Sequence, residues 1–257
     1  MPIFVDQNVD SCRSNLLLDL LSPESFAAIK SRLVQVNLAK SQVLFKENER
    51  VEYVFFLQAG LATLIANTGD NARVQVNMVG REGFAGTVSL FDDDLMSMHS
   101  AEIQIAGSAL RMPQADFQEA LEKLPDFRLL CMRHTKATTV QMSQLAGCNA
   151  RHSVVQRLCR LLLMVQDRIG STSLMLTQEE LALALALALA LALALGVRRA
   201  GISVAIASLA ASRILRQGRN FIEITDRSKL IYETCDCYHV MKNRHASILN
   251  MDPFLKS

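Results

Sequence analysis

Enzymatic signatures are missing from this sequence. It has no P-loop, no Ser/His/Asp set that stands out and no paired catalytic carboxylates, and its one acidic run, Asp92–Asp94, reads as a loop. These absences argue against catalysis. Cysteine is sparse and scattered: Cys12, Cys131, Cys148, Cys159, Cys235 and Cys237. Such spacing suggests no disulfide framework and fits reduced thiols in a cytoplasmic protein. The opening stretch, MPIFVDQNVD, carries acids and no basic segment, so no signal peptide is expected. A membrane span is not expected either. The Leu–Ala run from Leu181 to Leu195 is fifteen residues long. As a helix it covers about 22 Å, short of the roughly 20 residues a bilayer needs. Glu179, Glu180, Arg198 and Arg199 flank it closely.

What is present is a chain of 257 residues, half hydrophobic and one fifth charged. That composition can bury a core and suits one large or two ordinary domains. The net charge of +2 hides an asymmetry. Residues 1–148 hold 13 basic and 17 acidic residues, net −4; residues 149–257 hold 14 and 8, net +6. Positive charge concentrated in one half is the footprint of nucleic-acid binding beside a sensor or interaction half.

The texture changes along the chain. Ser22–Pro23–Glu24 reads as a helix start, with Ser as N-cap and Pro in the first turn. From about Leu33 to Arg111, short Val-, Ile- and aromatic-rich segments alternate with glycines, which predicts a small barrel or jelly roll. From Asp116 the pattern is helical. A long segment opens at Pro125 and Asp126; Gly147, Cys148 and Asn149 read as a break; a strongly apolar helix is expected from about Ala150 to Ile169. Then LTQEELA offers a capping box, Thr177 with Glu180. GVRRAGISVAIASLAAS and RILRQGRNFIEITDRSKL follow. Helix, Gly turn, helix opening with arginines, then two strands about Gly218–Arg219–Asn220 is the order of a winged helix-turn-helix.

These blocks carry a family resemblance. VLFKENERVEYVFFLQAGLATL with VGREGFAG, then RHSVVQRLCRLLLMVQDRIG, LTQEELA, LGVRRAGISVA and FIEITDRSKL, resemble the Crp/Fnr family of bacterial transcription regulators over nearly the whole chain. The resemblance implies an α+β protein in three parts: a jelly-roll-like β-roll sensor at 12–125, a connecting and dimerisation helix at 126–147, and a winged helix-turn-helix domain at 148–240. It implies double-stranded DNA as partner and a homodimer, and it allows RNA polymerase as a further partner. The dimer is carried by resemblance, because the seam Leu130, His134, Ala137, Gln141 is a poor zipper. Matched to the family's pattern, Arg199, Ala200 and Ser203, with Val204 beside them, fall where bases are read. An Arg there can grip guanine with two bonds. Arg198, Thr177, Gln178, Ser203 and Arg219 match phosphate-contacting positions, which set register rather than sequence.

The sensor half departs from the cyclic-nucleotide pattern. A cyclic phosphate needs a tight Gly–Glu turn and an Arg followed by Ser or Thr. Glu82 fits the first requirement, but the second place reads His99–Ser100, and Asp92–Asp94 repel phosphate. Glu82, His99 and Ser100 are the effector-site candidates; cyclic AMP is not the expected ligand and the effector is unassigned. No cofactor is expected. An iron–sulfur cluster needs grouped thiolates and only Cys12 lies near the N-terminus; His99 and His134, which haem could use, read as structural.

Cys235 and Cys237 form a C-x-C pair with His239 and His245 nearby. Their spacing does not match a zinc site, so no metal is expected and helix packing is the reading for Cys235. The Leu–Ala run has a strand period but a helix composition, and it reads as helix. From Thr177 to Gly196 is twenty positions, where the family's first helix takes about ten. The surplus shifts the following turn by about 15 Å and leaves it about 80° short of three full turns. The run is therefore an intrusion into the helix before the reading helix. Two functions stay open: a sequence-specific DNA-binding regulator, or a sensor or interaction protein of the same architecture whose DNA-binding domain the expansion disables.

Overall fold

A computed structural model describes residues 15–67, 73–86, 95–176, 199–218 and 221–249, with the side chains of Arg199 and Ala200 outside that description. The chain divides into two compact units, one of residues 1–66 and 78–136, the other of 67–77 and 137–257.

The first unit begins with the expected helix start. Ser22 Oγ accepts from the Ser25 amide and Pro23 opens α1 (Pro23–Lys30). Ahead of it, buried Asn15 has both polar atoms of its side chain hydrogen-bonded. Its Nδ2 donates to the carbonyls of Leu57 and Gly83, and its Oδ1 accepts from the amides of Leu17 and Leu18. The strands are β1 (Val34–Leu38), β2 (Val43–Phe45), β3 (Tyr53–Asn67), β4 (Arg73–Val79), β5 (Phe84–Ala85) and β6 (Ser100–Pro113). β6 is the hub. β1 pairs antiparallel with it from Val34↔Arg111 to Leu38↔Gly107, and β3 pairs with it from Tyr53↔Pro113 to Ile65↔Ser100.

That long pairing is interrupted around Ala59–Ala62. Gly60 sits in the interruption at φ +84°, and a Cβ there would lie 2.5 Å from the Ile105 carbonyl oxygen. Only glycine combines that backbone with that approach. The roll's interior is apolar: Leu38, Phe55, Leu57, Ala62, Val79, Ile103 and Ala109 are buried together. A second cluster uses four of the chain's eleven phenylalanines. Phe56 and Phe84 stand 5.2 Å apart, Phe84 and Phe117 5.7 Å, and Phe117 and Phe127 5.5 Å between centroids. These side chains dock α2 (Gln114–Lys123) and the start of α3 (Pro125–Arg151) in the unit's core.

α3 runs to Arg151, so the break expected at Gly147–Asn149 does not occur. One glycine costs a helix only about 1 kcal/mol, and a Cβ at Gly147 would meet nothing within 4 Å. The stripe Leu130, His134, Ala137, Gln141 is buried within the chain, which explains its poor zipper character.

In the second unit the apolar helix is α4 (Val154–Ile169). Ser153 and Gln156 form a capping box, and Gly170 ends it in the left-handed conformation. β7 (Ser173–Leu174) follows, then α5 (Arg199–Ala211), β8 (Leu215–Gln217), β9 (Ile222–Ile224), α6 (Arg227–Glu233) and α7 (Cys237–Leu249). The three strands form one antiparallel sheet in the order β7-β9-β8. The hairpin expected around Gly218 is present: the Gly218 amide donates to the Phe221 carbonyl, and a Cβ on Gly218 would strike the Phe221 ring at 1.9 Å. The Leu–Ala run and the Thr177 capping box lie outside the described residues. The protein is thus α+β, with an antiparallel roll followed by helices. No helix among the described residues is long and apolar enough to cross a membrane.

Candidate nucleic-acid interface and sensor site

α5 is built with two faces. Ile202, Ala205, Ile206 and Leu209 are buried, against α4 and the neighbouring β8. Ser203, Val204, Ala207 and Ser208 are exposed, Val204 by 68%. The spacing of the buried set, at intervals of three, one and three, is the period of a half-buried helix. Ser203 and Val204 therefore stand on the solvent face, with Arg199 one turn earlier on the same helix. Arg198, Thr177, Gln178 and Arg219 lie outside the described residues.

The elements around α5 are fixed by polar links. Asp226 caps α6 by accepting from the Lys229 amide at 2.9 Å, which keeps its carboxyl below the usual carboxylate range. Arg227 reaches α4, donating to Gln166 and, at 2.6 Å, to Asp167. It also donates to the Tyr238 hydroxyl at 2.8 Å, and that hydroxyl donates to Asp167 at 2.7 Å. Burial pushes the Tyr238 hydroxyl well above its ordinary range, with Asp167 adding to the shift. The T-D-R of the sequence thus ties α4, α6 and α7 together. Across the hairpin, exposed Arg216 pairs with Glu223. Arg213 is exposed just before it. Neither was singled out by motif; the only signal was the density of arginine in this half.

The three sensor candidates have structural occupations. Glu82 lies in the turn where the Gly83 amide donates to the Gly80 carbonyl, and its Oε1 accepts from the Gly80 amide at 3.2 Å. Ser100 Oγ accepts from the Glu47 amide at 3.1 Å. Burial holds the His99 imidazole below its ordinary pKa, against the pull of Glu47. The segment 87–94, with Asp92–Asp94, is outside the described residues. His134 is buried with its ring 4.7 Å from that of Phe84 and its Nε2 3.4 Å from the Phe84 amide nitrogen, a packing role.

The C-x-C pair has partners that its sequence neighbourhood did not suggest. His239 is exposed, edge-on to Tyr238. The residues gathered around Cys235 and Cys237 are instead Cys148, in the last turn of α3, and His152, just past its end, with all four donor atoms within 4.8 Å of one another. Cys148, Cys235 and Cys237 are buried and His152 half-buried. Cys148 Sγ and Cys235 Sγ share a contact of 3.4 Å, which lowers the Cys235 thiol against the cost of burial, with help from His152. The Cys148 thiol is correspondingly pushed up. The i, i+4 spacing of Cys148 and His152 was the available signal, hidden because a break was expected at Gly147–Asn149.

Comparison with known proteins agrees with this architecture. Residues 35–124 match the family model of the cyclic nucleotide-binding domain. Among solved structures, the c-di-GMP responsive global regulator CLP of Xanthomonas campestris superposes with a TM-score of 0.63 at 12% identity, over 80% of this chain and 100% of its own. A transcriptional regulator of the crp/fnr family from Eubacterium rectale gives 0.62 at 13% identity, over 84% and 96%. The chain has the Crp/Fnr fold. A CRP-family transcriptional regulator from Thermus thermophilus gives 0.60 at 18% identity, over 77% of this Crp/Fnr-like chain and 95% of its own. No curated protein matches the chain in sequence. In the Crp/Fnr frame, the roll that contains Glu82, His99 and Ser100 is the cyclic-nucleotide-binding-like domain. The helical unit with its small sheet is the second half of that fold.

Proposed function

We propose that this chain is a sequence-specific DNA-binding transcription regulator, a homodimer whose roll senses a ligand other than cyclic AMP. The observation that carries the reading is α5. It is a helix with an apolar face on α4 and a solvent face of small residues behind Arg199, followed at once by a hairpin with exposed Arg213 and Arg216. A major groove admits such a helix with its first side chains toward base edges, while basic hairpin residues meet phosphates. Arg199 reads a base edge; Ala200 and Val204 offer apolar contact to thymine methyls; Ser203, Arg198, Thr177, Gln178 and Arg219 serve the backbone. The +6 charge of residues 149–257 supplies the sequence-independent attraction.

The dimer uses the outward stripe of α3. Leu129 and Met132 are 50% and 54% exposed, and exposed Lys136, Thr139, Ser143 and Ala146 continue the alternating three- and four-residue spacing. The spacing is that of a two-helix seam, with apolar Leu129, Met132 and Ala146 and polar Lys136, Thr139 and Ser143 between them. Cyclic AMP is disfavoured because the phosphate-gripping position holds His99, which has no guanidinium fork, and because Ser100 Oγ already serves Glu47. Gel-shift at rising salt tests the reading. A regulator binds its operator fragment far above random duplex and loses affinity steeply with salt. Equal, weak binding to every duplex would favour the disabled alternative.

A further inference from the structure

We propose that Cys148, His152, Cys235 and Cys237 form a site for one thiophilic divalent ion of the zinc class, held by three thiolates and one imidazole. The geometry is that of a single tetrahedral centre. At ordinary Zn–S and Zn–N lengths, the edges of such a tetrahedron are about 3.8 Å between sulfurs and about 3.5 Å between sulfur and nitrogen. Cys148 Sγ and Cys235 Sγ are 3.4 Å apart, Cys237 Sγ and His152 Nδ1 are 3.7 Å apart, and no pair of donor atoms exceeds 4.8 Å. The donors are too close to enclose a multi-iron cluster, whose thiolates sit on different metal atoms. Three sulfurs and one imidazole nitrogen are a donor set that zinc-class ions prefer over magnesium or calcium.

The surroundings are prepared for negative charge. Arg160 is 2% exposed; among the described residues its Nε and Nη1 have no hydrogen-bond partner, and Nη2 reaches Asn149 at 3.4 Å. A buried guanidinium so poorly matched by hydrogen bonds is costly. It acts electrostatically on both Cys148 and Cys235. Three thiolates around a divalent ion carry a net charge of −1 and would offset it. Gln144 Nε2 donates to Cys237 Sγ at 3.1 Å, a bond that orients this sulfur. Binding exchanges the thiol protons for the metal, so it releases protons to solvent and strengthens with pH. Mechanically, the ion would clamp the first turn of α7, and the segment before it, to the last turn of α3.

The full-length protein, reduced and stripped with a chelator, is titrated with Co²⁺ and then Zn²⁺. One Co²⁺ per chain is expected, with the intense visible bands of tetrahedral cobalt and thiolate charge transfer, displaced by stoichiometric Zn²⁺. Cys235→Ser with Cys237→Ser should abolish the bands. Gln144→Ala should weaken binding about tenfold or more. Cys131→Ser and Cys159→Ser should change nothing. Alkylation mapped by mass spectrometry on the unmodified chain guards against a misfolded variant: Zn²⁺ should protect Cys148, Cys235 and Cys237 and leave Cys131 and Cys159 unchanged. Absence of tetrahedral cobalt, cobalt bands that survive the double substitution in a folded protein, or a Cys148–Cys235 disulfide in protein that takes no metal would each overturn the site.

Discussion

Arg227 Nη2 lies 2.6 Å from Asp167 Oδ1, joining the first turn of α6 to α4 beneath the candidate reading helix. Both side chains are about three-quarters buried, and Tyr238 bonds to each. Breaking one side leaves a partly buried charge without its partner. Arg227→Ala should cost about 1–3 kcal/mol of stability in urea titrations that follow the C-terminal unit. A loss under a few tenths would mean that water replaces the network.

Gly60 predicts a backbone effect. Gly60→Ala places a Cβ 2.5 Å from the Ile105 carbonyl in a residue already at φ +84°. The expected loss is about 1–3 kcal/mol, read as a lower thermal midpoint for the roll. Gly147→Ala, with open space around it, should be neutral or slightly stabilising.

Glu119 should impose an acid dependence on the roll. Bonds from Arg32 and then Lys123, each 2.6 Å long, hold its carboxyl down at about 2 instead of 4.5. A group whose pKa is depressed by folding adds stability above its unfolded pKa and loses it as pH falls through the folded one. Denaturant midpoints of the native chain should therefore fall between about pH 4.5 and 2, more steeply than those of Glu119→Gln. Because the site is exposed, added salt should shrink the difference.

The Leu–Ala run predicts a gain from shortening. With ten residues removed, the Thr177–Gly196 spacing returns to about the ten positions of the family's first helix, and about five leucines are gone. Each exposed Leu forgoes roughly 1.5–3 kcal/mol of burial. Gel-shift and light scattering of both forms should show tighter DNA binding and less association in the shorter one. If neither changes, the run is an accommodated part of the fold.

How much of this was legible in the sequence depends on the range of the cause. Ser22–Pro23 and the Gly218 hairpin were readable because a cap and a tight turn are decided within four residues. The roll was readable from glycine punctuation and β-branched runs, and the family resemblance extended that reading to the whole architecture. Gly147 misled because a glycine's cost is small beside the packing of a 27-residue helix. The grouping of Cys148 and His152 with Cys235 and Cys237 was hidden because the two pairs are more than eighty residues apart. The buried stripe from Leu130 and the exposed one from Leu129 differ by a single position, a difference set by what packs against α3 and not by its own sequence.

The most direct measurement of the central claim is selection of bound duplexes from a random library by the full-length protein, repeated with Arg199→Ala. A dimeric regulator should enrich a two-fold symmetric site whose half-sites lie about 10–10.5 base pairs apart, or a multiple of that. The substitution should relax one base position in each half-site by about 1–3 kcal/mol while circular dichroism stays unchanged. No enriched sequence from the native chain, or the same site enriched equally by Arg199→Ala, would contradict the account.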